Sequence, residues 1–126
     1  MVEAVEMMPP GVTTMTHLWD MHGMRIMLNL NPTAVVQLLG VLEGYFAERM
    51  HELYVIDSPA AAQFLVKGIW PVVPERTRRK VKFFSAKQAI ARLEETCGVE
   101  TAARVRATME LNRNPRCGLD ERRRAW

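Results

Sequence analysis

Hydrophobic and polar positions along the first third of the chain change from a period of two to a period near 3.6. From Val12 to Trp19, apolar and β-branched residues alternate, and the run stops at a turn-like cluster over 20–23, which predicts a first strand. Asn31 followed by Pro32 supplies an N-cap and a first-turn proline, and apolar residues then recur at helical spacing. The pattern therefore predicts a helix over 32–49.

The middle of the chain repeats this strand-to-helix order. Leu53 to Ile56 is an apolar run too short for a helix, which predicts a parallel, central strand covered on both faces. Ser58-Pro59 then opens a helix that runs to Trp70 and carries few strongly polar residues. Because such a helix exposes a large apolar surface if left alone, we expect it to be buried or to face an apolar partner.

A third strand and further helices follow. One helical turn is expected over 74–79, and Lys80 to Phe84 reads as the third strand. Ser85 and Gln88 form a capping-box pair at the start of a helix that Gly98 closes, and a last helix is expected over 100–112. The order of elements predicts an α/β fold, a small and mostly parallel sheet flanked by helices.

The charge distribution divides the chain into two parts. Residues 1–75 have a balance of −5 and residues 76–126 one of +8, an asymmetry that suits an anionic partner, either phospholipid or nucleic acid, and equally a solvated basic tail. The sequence predicts an extended arm over 1–10, one domain over 11–114 and a basic, disordered tail over 115–126. Without a long uncharged apolar stretch or a basic leader, the chain is expected to be soluble and cytoplasmic.

The sequence contains none of the common catalytic motifs at a strand-to-helix junction. No glycine-rich phosphate loop, GxSxG elbow or HExxH sequence follows a predicted strand, and the two cysteines have no CxxC or histidine companion, so no metal site and no enzyme activity are expected. Asp20 and His22 form either an acid and base pair or a polar turn. Four methionines near the end of the first strand suit either an adaptable cavity wall or ordinary core packing; they are Met15, Met21, Met24 and Met27.

A resemblance to a known family is carried by the run Tyr45-Phe46-Ala47-Glu48-Arg49-Met50 and by the segment Leu53-Tyr54-Val55-Ile56-Asp57-Ser58-Pro59 that follows it. Together they resemble the central signature of the CRAL-TRIO (Sec14-like) lipid-binding domain. In that family a helix ends in a similar motif, and a hydrophobic strand, an apolar gating helix and a strand opening with lysine follow in this order. The resemblance covers residues 11–90.

The resemblance implies a lipid held in a deep apolar pocket, floored by the sheet and closed by a mobile gate helix over 59–70. In Sec14-like phosphatidylinositol carriers the headgroup is bound at positions that correspond here to Glu48, Thr77 and Lys80. The alternative is that these three are ordinary polar surface residues without a binding role. The bound lipid is the ligand, and no other cofactor is implied. The residues expected to line the gate and cavity are Met15, His17, Phe64, Leu65, Ile69 and Trp70.

Departures from the family pattern qualify this expectation. Ala47 replaces a proline of the signature, and Asp57 stands where an asparagine-containing triplet is common. Met15 and His17 occupy the places of the serine and threonine of phosphatidylcholine binders, which argues against choline-lipid recognition. The family's preceding helical module and first strand are absent, so the chain is either a piece of a longer protein or a minimal form that completes its sheet as a homo-oligomer.

Three functions are compared on these grounds. The leading hypothesis is a carrier or sensor of a phosphatidylinositol-type phospholipid, or of another hydrophobic molecule, that associates transiently with a membrane surface. The alternative is a protein-interaction module with the same fold and no usable lipid pocket. Nucleic-acid binding through the C-terminal arginines lacks the exposed aromatics that stacking requires, so no nucleic-acid partner is expected.

Overall fold

The computed structural model of the chain describes residues 6–25, 33 and 48–124. Within this part, the side chains at positions 61, 65, 66, 69, 72 and 123 are not described. The helix predicted over 32–49 therefore lies outside the described residues except at positions 33, 48 and 49. Glu48 and Arg49 form a turn, so the predicted helix does not continue through them.

A parallel sheet organises the described residues. Strands β1 (Met15–Asp20), β2 (Met50–Ile56) and β3 (Val81–Phe84) lie in the order β1-β2-β3, and both pairs are parallel. The central position and parallel pairing predicted for the second strand are confirmed. β2 begins three residues earlier than the apolar run, because pairing uses backbone groups and tolerates the polar side chains of His51 and Glu52.

Six helical segments lie between residues 60 and 124. Helix α1 spans Ala60–Ile69, a 3-10 helix follows at Trp70–Val72, and α2 spans Glu75–Lys80. Helices α3, α4 and α5 span Ala86–Cys97, Val99–Arg113 and Leu119–Arg124. The prediction that Lys80 opens the third strand is wrong, since Lys80 is the last residue of α2 and β3 starts at Val81.

Local capping accounts for the start and end of α3. The Ser85 hydroxyl accepts a hydrogen bond from the Gln88 amide at 3.3 Å, and the Ser85 amide donates to the Gln88 side chain at 2.9 Å. Gly98 ends the helix with a φ of 87°, which a residue without Cβ adopts without strain. The predicted capping box and glycine stop are both confirmed.

The tail differs from the disorder that its composition predicts, because α5 lies within 115–126. The Glu121 carboxylate accepts hydrogen bonds from the Gly118 amide and the Cys117 thiol, both at 3.1 Å. The Arg122 guanidinium donates to the Asn114 carbonyl at 3.0 Å. The Glu121 bonds cap the start of α5, and the Arg122 bond ties it to the end of α4, which the count of arginines alone does not reveal.

The two faces of the sheet bury different clusters. On the helix-covered face, Tyr54 and Ile56 pack with residues of α3 and α4, and Ile56 is completely buried. The Tyr54 and Phe84 rings meet edge to face there at 5.0 Å. On the opposite face, Met50, Leu53 and Val55 form a smaller buried cluster. The partly buried side chains that pack against it are Trp19, Met21 and Val81. Successive residues of a strand alternate between the faces, so each strand contributes to both clusters.

Candidate functional site

The opposite face of the sheet carries the side chains that the sequence assigns to a cavity floor. His17 pairs with Leu53 in the register of β1 and β2, and Leu53 pairs with Val81 of β3. Phe83, two residues further along β3, contacts Trp70 with ring centroids 6.3 Å apart. The 3-10 helix that follows α1 therefore lies beside this face.

His17 and Met15 are both half-buried on β1. Burial lowers the pKa of His17, because desolvation disfavours the imidazolium form. The imidazole is therefore neutral at pH 7 and has one donor and one acceptor nitrogen.

Helix α1, which the family resemblance predicts to be a gate, is not buried on all sides. Phe64 is 75% exposed and shares its outward face with Lys67, Gly68 and Pro71. The prediction that Phe64 lines a cavity is therefore not met in this conformation, because helical spacing turns its side chain away while Ala62 is buried. Trp70 is half-buried against Phe83, whereas the side chains of Leu65 and Ile69 lie outside the description.

The predicted headgroup residues lie at the amino edge of the sheet. The Lys80 ammonium donates a hydrogen bond of 2.6 Å to the Met50 carbonyl, at the first residue of β2. Glu48 is exposed two residues before Met50, and Thr77 is half-buried one helical turn before Lys80 on α2. The structure thus brings Lys80 to the segment that bears Glu48, and it places Thr77 on the same side of α2 as Lys80.

A surface cavity of about 480 Å³ adjoins Lys80. Among the described residues, Glu48 and Thr77 do not line it; those that do are His51, Glu52, Glu75, Arg76, Arg79 and Lys80. Arg79 pairs with Glu75 on the same helix. Sequence reasoning missed the cationic group of Arg76 and Arg79, although the basic run over 76–80 indicates it.

Two aspartates and one arginine meet at the carboxyl edge of the sheet. Asp20 ends β1, and Asp57 follows β2 directly. Arg113, the last residue of α4, donates to both Asp20 carboxylate oxygens at 2.7 Å, and its Nη2 atom lies 2.8 Å from Asp57 Oδ2. Sequence reasoning missed Arg113, which lies 93 positions after Asp20 along the chain.

The acid and base pair considered for Asp20 and His22 is not supported by these contacts. The Asp20 carboxylate is engaged by Arg113 and accepts a further hydrogen bond of 3.1 Å from the His22 amide. That amide contact is a local Asx-type turn, the other reading of the same residues. Asp20 therefore has a structural role in this conformation.

The Asp20 contacts predict a measurable acid dependence. Burial by itself raises the pKa of Asp20, but the Arg113 hydrogen bonds and charge, together with the His22 amide, outweigh it and hold the pKa below its ordinary value. Ionised Asp20 therefore stabilises the fold above its unfolded-state pKa of about 3.9, and the stabilisation is lost as pH falls through the lower folded-state pKa. In urea unfolding, the difference between wild type and Asp20→Asn should be full at pH 7 and shrink below about pH 4.

The matched control for this measurement is Asp120→Asn, a change at an exposed aspartate of α5. We expect its urea midpoint to follow that of the wild type throughout. A wild-type advantage over Asp20→Asn that stayed constant from pH 7 to about pH 3 would contradict the assignment.

The described residues contain neither a membrane span nor a metal-binding cluster. No helix there is long and apolar enough to cross a membrane. No group of three or more histidine, cysteine, aspartate or glutamate side chains in the same ranges is arranged to hold a metal ion.

Comparison with known proteins places the chain in a family. The CRAL/TRIO domain profile matches residues 1–102. A CRAL-TRIO domain-containing protein of Schizosaccharomyces pombe is 31% identical over 80 residues, which are 64% of this chain and 8% of that protein. The chain thus spans a small fraction of that relative's length. No solved structure matches the chain. The parallel sheet, the helix after β2 and the profile match agree, and the chain belongs to the CRAL-TRIO family, whose domain generally binds lipids.

Proposed function

We propose that this chain binds a phosphatidylinositol-type phospholipid and either carries it between membranes or senses it. The observation that carries the proposal is the position of Lys80, whose ammonium is held beside the first residue of β2, next to the turn that contains Glu48. A fixed cation at the mouth of an apolar sheet face is suited to a lipid phosphate.

The chemistry of the surrounding residues supports an inositol headgroup. The Lys80 ammonium can neutralise the phosphodiester, and the Thr77 hydroxyl can donate to one of its oxygens. Glu48 can accept hydrogen bonds from inositol hydroxyls, which a choline headgroup lacks. His17, neutral at pH 7, adds no charge to the apolar face.

The acyl chains require the gate. Two chains have roughly 30 methylenes, and at ~0.8 kcal/mol each their exposure to water costs on the order of 20 kcal/mol. Transit through water therefore needs a nearly closed pocket. Helix α1 and the Trp70 contact with Phe83 lie where they can close the opposite face of the sheet.

The proposal extends to the setting in which the chain acts. In this proposal, the protein has no enzymatic activity, lies in the cytoplasm and contacts a membrane surface transiently. The cationic group around Arg76, Arg79 and Lys80 suits anionic headgroups. Strands β1 and β3 are the edges of the described sheet, so a second copy pairing with either edge can enlarge the floor.

The test is extraction of lipid from mixed liposomes by the purified chain, followed by mass spectrometry of the bound lipid. We expect one inositol lipid per binding-competent unit. Lys80→Ala should lower the affinity by roughly 10- to 100-fold, because one charge-assisted hydrogen bond is worth about 1.5–3 kcal/mol. Glu48→Ala should reduce the preference for inositol over choline headgroups.

Lys87→Ala, at an exposed position of α3, is the matched control and should bind lipid as the wild type does. Thermal unfolding of each variant separates loss of the headgroup contact from loss of the Met50 hydrogen bond. If the folded wild type extracts no lipid, the proposal fails and the protein-interaction module becomes the better account.

A further inference from the structure

We infer that Arg113 is a positioning residue that holds the hinge of the gate helix α1 and thereby slows lipid exchange. The inference rests on the proposed function, since it assumes that α1 is the gate. It assigns a role to a residue beyond position 102, where the match to the family profile ends. The link between α4 and the gate runs through Asp57.

The ion-pair geometry joins three elements at one point. A single atom, Arg113 Nη2, lies 2.7 Å from Asp20 Oδ1 and 2.8 Å from Asp57 Oδ2. The three side chains are only 22–27% exposed, so solvent screens these pairs less than it screens surface ion pairs. Without the guanidinium, two carboxylates on neighbouring strands would face each other uncompensated.

The hinge of α1 is the backbone at Asp57, between β2 and the helix. Asp57 has a φ of 48°, a left-handed conformation that is unfavourable for most residues other than glycine, asparagine and aspartate. Its amide donates to the Phe84 carbonyl at 2.9 Å, and its Oδ1 atom accepts from the Ala86 amide, also at 2.9 Å. Helix α1 begins three residues later, so the backbone conformation of Asp57 sets the direction in which the chain enters this helix. The contacts of Asp57 hold that conformation in place.

A second contact carries the hinge conformation into the gate. The Gln63 side-chain amide donates to the Ser58 carbonyl at 3.1 Å, which ties the first turn of α1 to the residue after Asp57. A rotation of the backbone at Asp57 therefore moves Ser58 and the start of α1 together. Loss of the Arg113 pair removes one of the contacts that oppose this rotation.

Helix α4 does not depend on Arg113 for its own attachment. Ala102 and Met109 of α4 belong to the same buried cluster as Ile90 and Leu93 of α3. This apolar contact persists when the guanidinium is removed. If Arg113 only anchored α4, its removal would speed amide hydrogen exchange in α3 and α4. If Arg113 holds the hinge, its removal speeds exchange in α1.

The first experiment measures amide hydrogen exchange in the lipid-free protein. In Arg113→Ala, we expect exchange in α1 to become about tenfold faster, the effect of one partly buried bidentate ion pair. Exchange in α3 should change by less than about twofold. Arg113→Lys, which keeps the charge but not the planar fork, should give an intermediate rate in α1.

Arg106→Ala is the matched control, because Arg106 lies on the same helix and pairs at 3.2 Å with Glu94 of α3, away from the hinge. It should leave exchange in α1 at the wild-type rate. Unchanged exchange in α1 of Arg113→Ala, or an equal rise in α1 and α3, would overturn the positioning role. Neither reading depends on whether the chain binds lipid.

The second experiment measures transfer of fluorescent phosphatidylinositol between vesicles. Arg113→Ala should exchange lipid about tenfold faster than the wild type, with a smaller change in equilibrium affinity because the headgroup residues are untouched. If amide hydrogen exchange in α1 becomes faster but lipid transfer does not, Arg113 does not control the rate of lipid transfer. If the wild type binds no lipid, the proposed function fails. The hydrogen-exchange experiment then still tests whether Arg113 positions α1.

Discussion

Replacing Ile56 by alanine should lower the free energy of unfolding by about 3–5 kcal/mol, the largest effect that we expect of a single substitution in this chain. Ile56 has no exposed surface and lies on the central strand, between Tyr54 and the residues of α3 and α4. Truncation removes three carbons from a site whose backbone is paired on both sides, so the cavity cannot collapse readily. Urea unfolding followed by circular dichroism measures the change.

Leu119→Ala is the control for this prediction. It also removes three carbons, but Leu119 is 72% exposed at the start of α5. We expect its unfolding free energy to stay within about 0.5 kcal/mol of the wild type. Equal losses in the two variants would show that Ile56 does not lie in the core described above.

Replacing Asp57 by alanine should cost about 2–4 kcal/mol, the second of the two largest effects. The change leaves the Ala86 amide at the start of α3 without its carboxylate acceptor and removes one partner of Arg113. Alanine is also less tolerant than aspartate of the left-handed backbone at this position. These three losses act in the same direction.

Asp57→Asn separates the contributions. Asparagine tolerates a positive φ and keeps an oxygen for the Ala86 amide, but its amide nitrogen replaces the oxygen that faces Arg113, so the contact with the guanidinium is lost together with the charge. We expect about 1 kcal/mol for this variant, less than the loss in Arg113→Ala, which also removes the Asp20 pair. The loss in the double variant should be smaller than the sum of the two single losses. A double variant whose loss equals the sum of the single losses would mean that Asp57 and Arg113 do not interact energetically.

The elements that the sequence predicted well are those defined by short-range chemistry. The capping box at Ser85 and Gln88 and the stop at Gly98 depend on residues within a few positions of each other, and both are found in the structure. The apolar run over 53–56 was recognised as a central parallel strand because it is uninterrupted on both faces. The family resemblance, confirmed by the profile match, came from a motif of consecutive residues.

The departures arise where contacts between distant residues decide the outcome. Phe64 is apolar, and its sequence context gave no indication of which face of α1 points outward. Lys80 was expected in a strand, but the basic helix α2 continues through it and directs its ammonium to Met50, 30 positions earlier. The short helix in the tail likewise depends on the specific bonds made by Glu121 and Arg122.

The sequence by itself determined the order of the three strands, the parallel α/β class, the family and the choice of headgroup candidates, because apolar periodicity, caps and motifs act over a few residues. Only the tertiary structure decided that Asp20 and Asp57 lie at the carboxyl ends of adjacent strands and share Arg113. It also decided that Lys80 reaches the start of β2. Such pairings depend on packing of elements far apart in the chain, and no local pattern encodes which arginine or lysine completes them.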